Sequence, residues 1–185
     1  MKTNSVRVIS GEYKGRKLKF PSIQGLRPTS DQMKETIFNW LQPYIYDSIC
    51  IDAFAGSGSL GIEAISRGAT KSIFYEINLK AIKQIKENLD TLHLSNFEVK
   101  KADSLKALTT LDTQNNECVI FLDPPFNKGI AEKAMHIIDK NDAISNDTII
   151  YLETEKNCNA DLSNFEILKE KNTSTLSARL IKKAN

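Results

Sequence analysis

Ile49-Cys-Ile-Asp-Ala-Phe-Ala-Gly-Ser-Gly-Ser-Leu-Gly61 opens with a short apolar run, sets a carboxylate at Asp52, and passes into a turn of small residues. Gly56 and Gly58 allow a sharp turn and a close ligand approach, because neither carries a side chain. Leu60, Ala64 and Ile65 then begin a helical pattern that stops at Gly68. Strand, glycine turn and helix in that order build a nucleotide pocket at the carboxyl end of a parallel strand. Gly56, Gly58 and Gly61 also have the spacing of a dinucleotide fingerprint, so this stretch alone leaves the ligand open. A second stretch, Asp123-Pro124-Pro125-Phe126, bears on what the pocket is for.

Working outward, strands and helices alternate from Ser48 onward. Ile49–Asp52 is predicted as a strand, Ser59–Arg67 as a helix and Lys71–Glu76 as a second strand. Leu79, Ile82, Ile85, Leu89 and Leu92 recur at helical spacing. Phe97 and Val99 mark a third strand leading to Asp103, and the uniformly apolar Cys118–Leu122 suits a central strand covered on both faces. A helix from about Gly129 to Asp139 and a strand Thr148–Leu152 follow. Phe165–Lys169 and Leu176–Ile181 lie too close in sequence for a helical crossover, which predicts an antiparallel hairpin. The pattern is α/β, a sheet with helices on both faces. Ahead of it, Val6–Ser10 and Arg16–Phe20 read as strands of a hairpin linked by Gly11–Gly15. Thr29 and Gln32 have capping-box spacing before a helix predicted to run to about Gln42, with Pro43 ending it.

With 185 residues, 41% of them hydrophobic, the chain suits one globular core. No apolar run reaches the roughly 20 residues that span a bilayer. The amino terminus lacks the apolar stretch of a signal peptide, which predicts a cytoplasmic protein. Cys50, Cys118 and Cys158 are odd in number and widely spaced, as expected of buried small hydrophobes rather than disulfides. His93 and His136 are too isolated to suggest a metal site. The net charge is +2, unevenly spread: residues 1–34 hold eight Lys or Arg against two acids, and the remainder is net acidic. Such a basic segment points to a polyanion, with Arg7, Lys14, Arg16, Lys17 and Arg27 on phosphates and Tyr13 available to stack on a base. Residues 1–28 are therefore read as a basic hairpin extension and 29–185 as the main domain.

Four carboxylates, Asp52, Glu76, Asp103 and Asp123, end four successive predicted strands. In register on one rim they would repel one another without hydroxyl or amino donors to bind. Glu76 lies 20 residues after Gly56, a spacing suited to a ribose diol. Asp103, with Ser104 beside it, is placed to reach an adenine amino group. A carboxylate at Asp52 would repel a pyrophosphate and suits a cationic ligand, which favours S-adenosylmethionine over NAD. The two prolines after Asp123 remove backbone donors and leave a rigid turn of exposed carbonyls. Asp123 and the Pro124 carbonyl can each accept a hydrogen from one amino group, and Phe126 offers a face for an extruded base.

Asp52-Ala-Phe-Ala-Gly-Ser-Gly58 together with Asp123-Pro-Pro-Phe126 resembles the class I S-adenosylmethionine-dependent methyltransferases of exocyclic amines. Arg7-Val-Ile-Ser-Gly-Glu-Tyr-Lys-Gly-Arg-Lys-Leu18, Arg27-Pro-Thr-Ser-Asp31 and Glu35-Thr-Ile-Phe-Asn-Trp-Leu41 narrow the likeness to the bacterial small-subunit rRNA guanine 2-amino methyltransferase family. The resemblance implies a Rossmann-like, mostly parallel seven-stranded sheet with an antiparallel last strand. It implies a guanine of 16S rRNA in assembling small subunits as target, for a protein expected to be a monomer. By position, Asp123, Pro124 and Phe126 would be catalytic. Asp52, Ala53, Gly56, Gly58, Glu76, Asp103 and Ser104 would hold the cofactor. The chain departs from the family just before its last strand, reading Lys171-Asn-Thr-Ser-Thr175 where an aromatic residue and a glycine are usual. The same amine chemistry on adenine or cytosine, an NAD(P)-dependent oxidoreductase, and a non-catalytic RNA-binding factor remain as alternatives.

Overall fold

The computed structural model describes residues 3–22, 30–114 and 116–184. Arg27, Pro28 and Thr29, and with them one expected RNA contact and the expected helix cap, lie outside these residues. A seven-stranded sheet is built from β3 (Ile49–Asp52), β4 (Lys71–Glu76), β5 (Phe97–Lys101), β6 (Cys118–Leu122), β7 (Ile149–Glu155), β8 (Phe165–Asn172) and β9 (Leu176–Lys183). Its spatial order is β5-β4-β3-β6-β7-β9-β8. The first five of these are mutually parallel, and β9 runs antiparallel to both of its neighbours. The expected reversed last strand is thus present, inserted between β7 and β8. The chain steps outward from β3 to β5 and then returns to β6 on the other side of β3. That reversal opens a crevice at the carboxyl ends of β3 and β6.

Cys118–Leu122 is buried at every position because helices cover both faces. On one face lie α1 (Asp31–Ile45), α2 (Ser59–Ser66) and α3 (Leu79–Thr91); on the other lie α4 (Ser104–Thr109) and α5 (Ile130–Lys140). Several boundaries depart from the sequence reading. Ser30 caps α1 in place of Thr29, its hydroxyl accepting from the Met33 N–H at 3.2 Å. Pro43 does not stop that helix. It removes only one N–H from the final turn, and the buried Leu41 and Ile45 hold that turn against the sheet. Leu79, expected inward, is 63% exposed, because α3 begins there at the rim before reaching the core. α4 is an element the sequence reading missed.

The amino-terminal hairpin, β1 (Thr3–Arg7) with β2 (Lys17–Pro21), starts and ends its strands closer to the terminus than expected on the first strand and one residue later on the second. Val6, Val8, Leu18 and Phe20 point into one core with Ile62, Ile65, Ile85 and Leu89 of α2 and α3. Arg7, Lys14, Arg16, Lys17 and Lys19 face solvent. Polar ties lock the same contact. Asn88 accepts from the Lys19 N–H at 3.0 Å and donates to its carbonyl at 2.8 Å. The wholly buried Glu63 accepts from the Ile9 N–H at 2.7 Å, the Ser10 N–H at 3.0 Å and Arg67 Nε at 2.8 Å. Lys34, also buried, donates to the Arg7 carbonyl and lies 3.9 Å from Glu63. Burial lowers the Lys34 ammonium below its usual range, and the Glu63 carboxylate opposes that shift.

Gly11 and Gly61 are places where only glycine fits. A Cβ on Gly11 would stand 1.7 Å from the Ser66 carbonyl oxygen, and one on Gly61 would stand 2.3 Å from the Phe74 ring. Replacing Glu63 by Ala should destabilise the protein by about 3–5 kcal/mol, since it strands the buried Lys34 and two backbone donors. Urea unfolding of the variant and the wild type measures this.

Candidate active site

A cleft of about 940 Å³ opens where the carboxyl ends of β3, β4 and β6 meet. Its walls include Asp52, Phe54, Gly56, Glu76, Ile77, Asp103, Ser104 and Leu105 on one side, and Asp123, Pro124, Pro125 and Phe126 on the other. The two stretches that sequence singled out therefore share one cavity. Asp52 is the last residue of β3 and Glu76 the last of β4. Asp123 follows β6 directly.

Two of these carboxylates hold the glycine turn. Glu76 Oε2 accepts from the Gly56 N–H at 2.8 Å, while its Oε1 accepts from Ile77 and Asn78 at 2.8 and 2.7 Å. Asp52 Oδ2 accepts from the Gly61 N–H at 3.1 Å. The Gly58 N–H is taken by the Ala55 carbonyl at 2.6 Å. All three N–H groups of the glycine fingerprint are thus engaged within the protein, two of them by carboxylates. A phosphate cradle needs such donors free, so this arrangement weighs against a pyrophosphate in the turn. Gly56 and Gly58 have φ of 50° and 73°, the left-handed region that favours glycine.

Of the other expected cofactor residues, Ala53 is wholly buried in the core beneath the turn, its N–H on the Phe121 carbonyl at 3.1 Å. Gly58 stands behind the turn, where an added Cβ would lie 3.1 Å from Ile85. Neither borders the cleft. Asp103 does, and it also caps α4, accepting from the Lys106 N–H at 3.1 Å. Pro124 is buried, Phe126 half-buried and Pro125 exposed, and all three border the cavity with Asp123.

The tip of the basic hairpin lies apart from this rim. The Glu12 N–H bonds the Ser66 carbonyl at 2.8 Å, the Tyr13 N–H bonds Ser66 Oγ at 3.0 Å, and Arg16 reaches the Thr91 carbonyl at 3.3 Å. Ser66 and Thr91 are the last residues of α2 and α3, which both begin at the cleft side. The hairpin tip is therefore separated from the cavity by the length of those helices, roughly 12–20 Å at 1.5 Å per residue.

Other wall residues were not assigned to the site from the sequence. Ser30, Gln32 and Met33 come from the start of α1; Lys171, Thr173, Thr175 and Leu176 come from the β8–β9 turn; Glu153 comes from β7. The acid directly after the apolar run Ile149–Leu152 was the available signal for Glu153. The predicted strand stopped one residue short of it.

A Rossmann-like sheet with this strand order and a cleft at its switch point defines the class I methyltransferase fold. The chain belongs to the family described as conserved hypothetical protein 95, whose model matches residues 6–182. It is 46% identical over 178 residues to "Ribosomal RNA small subunit methyltransferase D" of Haemophilus influenzae, covering 95% of this chain and 92% of that protein. The protein of the same name from Escherichia coli K12 is 39% identical over 153 residues, covering 83% and 76%. Among solved structures, "Putative methyltransferase yhhF" from Escherichia coli superposes with a TM-score of 0.83 at 34% identity, covering 98% of this chain and 99% of its own. The putative methylase HI0767 of Haemophilus influenzae gives 0.82 at 42% identity, covering 98% and 100%. The resemblance drawn from the sequence is borne out at the level of the family and the fold.

Burial pushes the Asp52 carboxyl up to about 7 from 3.8; the Gly61 N–H lowers it and neighbouring Glu76 raises it. The folded state thus binds a proton that the unfolded chain releases near pH 4. This stabilisation is fully present below that pH and is lost as pH rises through about 7. The span of about three pH units is worth on the order of 4 kcal/mol. Asp52→Asn should therefore gain ligand-free stability over the wild type progressively from pH 4 to 7 and hold the gain above it. Thermal unfolding across pH measures this.

Proposed function

We propose that this protein transfers a methyl group from S-adenosylmethionine to the 2-amino group of a guanine in 16S rRNA of the small ribosomal subunit. It acts as a cytoplasmic monomer without a metal ion. The reading rests above all on one observation: the Asp123-Pro-Pro-Phe126 turn and the carboxylate-lined glycine turn open into a single cleft. The names borne by its relatives support the ribosomal RNA target.

The donor set suits S-adenosylmethionine. Asp52 and Glu76 are acceptors for cationic and hydroxyl groups, Asp103 and Ser104 reach the next part of the wall, and Phe54, Ile77 and Leu105 supply apolar surface for a ring. When bound, S-adenosylmethionine supplies an electrophilic methyl group. The protein's part is then to present the nucleophile. The lone pair of an exocyclic base amine is delocalised into the ring. The Asp123 carboxylate and the Pro124 carbonyl each accept one amino hydrogen, which favours a pyramidal nitrogen with its lone pair directed across the cleft. Asp123 receives the proton as the new bond forms. Phe126 stacks on the extruded base, whose removal from its helix costs a few kcal/mol. Arg7, Lys14, Arg16 and Lys17 hold phosphates of the surrounding RNA away from the reacting base.

Labelled methyl transfer to naked 16S rRNA, undermethylated small subunits and DNA, followed by nucleoside analysis, tests the assignment. N2-methylguanosine is expected from ribosomal RNA, and methylated adenine or cytosine as the product would overturn it. Asp123→Ala should lower turnover by about 10²–10⁴-fold with RNA still bound. Neutralising Arg16 and Lys17 together should weaken RNA binding and flatten its dependence on log salt concentration by about 1.5–2, leaving cofactor affinity unchanged. Filter binding over a salt series and calorimetry with S-adenosylmethionine measure the two effects.

A further inference from the structure

Resting on the guanine reading above, we propose that Glu153 is the residue that makes the cleft select guanine, by accepting the N1–H next to the amino group that is methylated. β6 and β7 are parallel neighbours whose last matched pair is Leu122 with Leu152. Asp123 and Glu153 each come one residue later, so they stand side by side on strands about 4.8 Å apart. Both border the cleft. Their order is informative. β3, with Asp52 and the glycine turn, flanks β6 on one side, and β7 flanks it on the other. A base whose amino group is held at Asp123 and Pro124, facing β3, therefore lays the adjoining edge of its ring over β7 and Glu153.

The three amino-bearing bases differ at that edge. In guanine the ring atom next to the amine is N1–H, a donor. In adenine and cytosine the nitrogen beside the amine is N1 or N3, each an acceptor. A carboxylate is an acceptor only, so Glu153 would meet a hydrogen in guanine and a lone pair in the other two. A site that hydrogen-bonds a substrate N–H rejects the analogue lacking it far more strongly than an apolar pocket does. Guanine turned so that N3 faces β7 meets the same repulsion, so one residue sets both the base and its orientation.

Glu153 is held for this task. It is 6% exposed, and the buried Tyr151 hydroxyl donates to its Oε2 at 2.5 Å. Burial and the neighbouring carboxylates push the Tyr151 hydroxyl well above its ordinary range, which keeps it protonated as a donor. Tyr151 is a positioning residue, and its ring is fixed edge-on against Phe121 at 6.5 Å.

The test compares guanine with 2-aminopurine, which keeps the 2-amino group but carries an unprotonated N1, at the target position of reconstituted small subunits. The wild type should methylate guanine faster by about 10–100-fold, the span of a lost hydrogen bond to a charged group. Glu153→Gln, whose amide can also donate, should lower the guanine rate and shrink the ratio between the two bases at least tenfold. Loss of O6 in 2-aminopurine affects both proteins alike and cancels in that comparison. Equal rates on both bases in the wild type would overturn the inference without any variant. A ratio left unchanged by a folded Glu153→Gln would overturn it too, while leaving guanine N2 transfer intact. A wild-type product on another base would instead remove the functional reading and this inference together.

Discussion

Everything at the cleft depends on two backbone N–H groups captured by two carboxylates. Gly61 donates to Asp52 and Gly56 donates to Glu76, so the turn between β3 and α2 is pinned at both ends from neighbouring strands. The cost falls on Asp52, whose buried carboxyl is held as far up as about 7. A strand-end acid that destabilises its own ionised form lowers the stability of the ligand-free fold as pH rises from about 4 to about 7. Gly61 completes the constraint from the other side, because only a residue without Cβ lets α2 lie this close to Phe74.

The sheet order divides labour across the cleft. β3, β4 and β5 bring carboxylates and apolar residues to one side of the cleft, while β6 and β7 bring the proline turn and Glu153 to the other. The hairpin adds charge on a third surface. It is anchored by Glu63, Ser66 and Asn88, and it shares its apolar residues with α2 and α3. The exposed basic residues and the cleft therefore stand on different elements joined by a common core.

Much of the fold was legible because its signals are local and periodic. Ile49–Asp52, Lys71–Glu76 and Cys118–Leu122 have the bounds that hydrophobic pattern predicted. α4 was not legible: six residues with two leucines make too few turns for a period to show. Pro43 misled because a helix breaker is tolerated where tertiary contacts hold the last turn. At the site, Asp52, Gly56, Glu76, Asp103 and Asp123 could be found from strand ends and turns. Glu153 carried the same strand-end signal but fell one residue beyond the predicted strand, Lys171 showed only as a departure from the family pattern, and Gln32 reaches the cleft through helix packing that no local pattern reveals. Ala53 and Gly58 belong to the same motif as Asp52 and Gly56, but the path of the backbone leaves Ala53 in the core and Gly58 against Ile85, behind the turn rather than on the cavity.

The position of β9 bears on the order in which the molecule can be assembled. β8 is synthesised first, yet among the described residues β9 is its one neighbour in the sheet. Until β9 exists, β7 is left with an unpaired border and β8 has nowhere to dock. The turn between them, Thr173 to Thr175, closes one wall of the cleft. Nascent chains can thus complete the β3–β5 half early, whereas the cleft wall formed by the β8–β9 turn matures only after β9 has threaded into place.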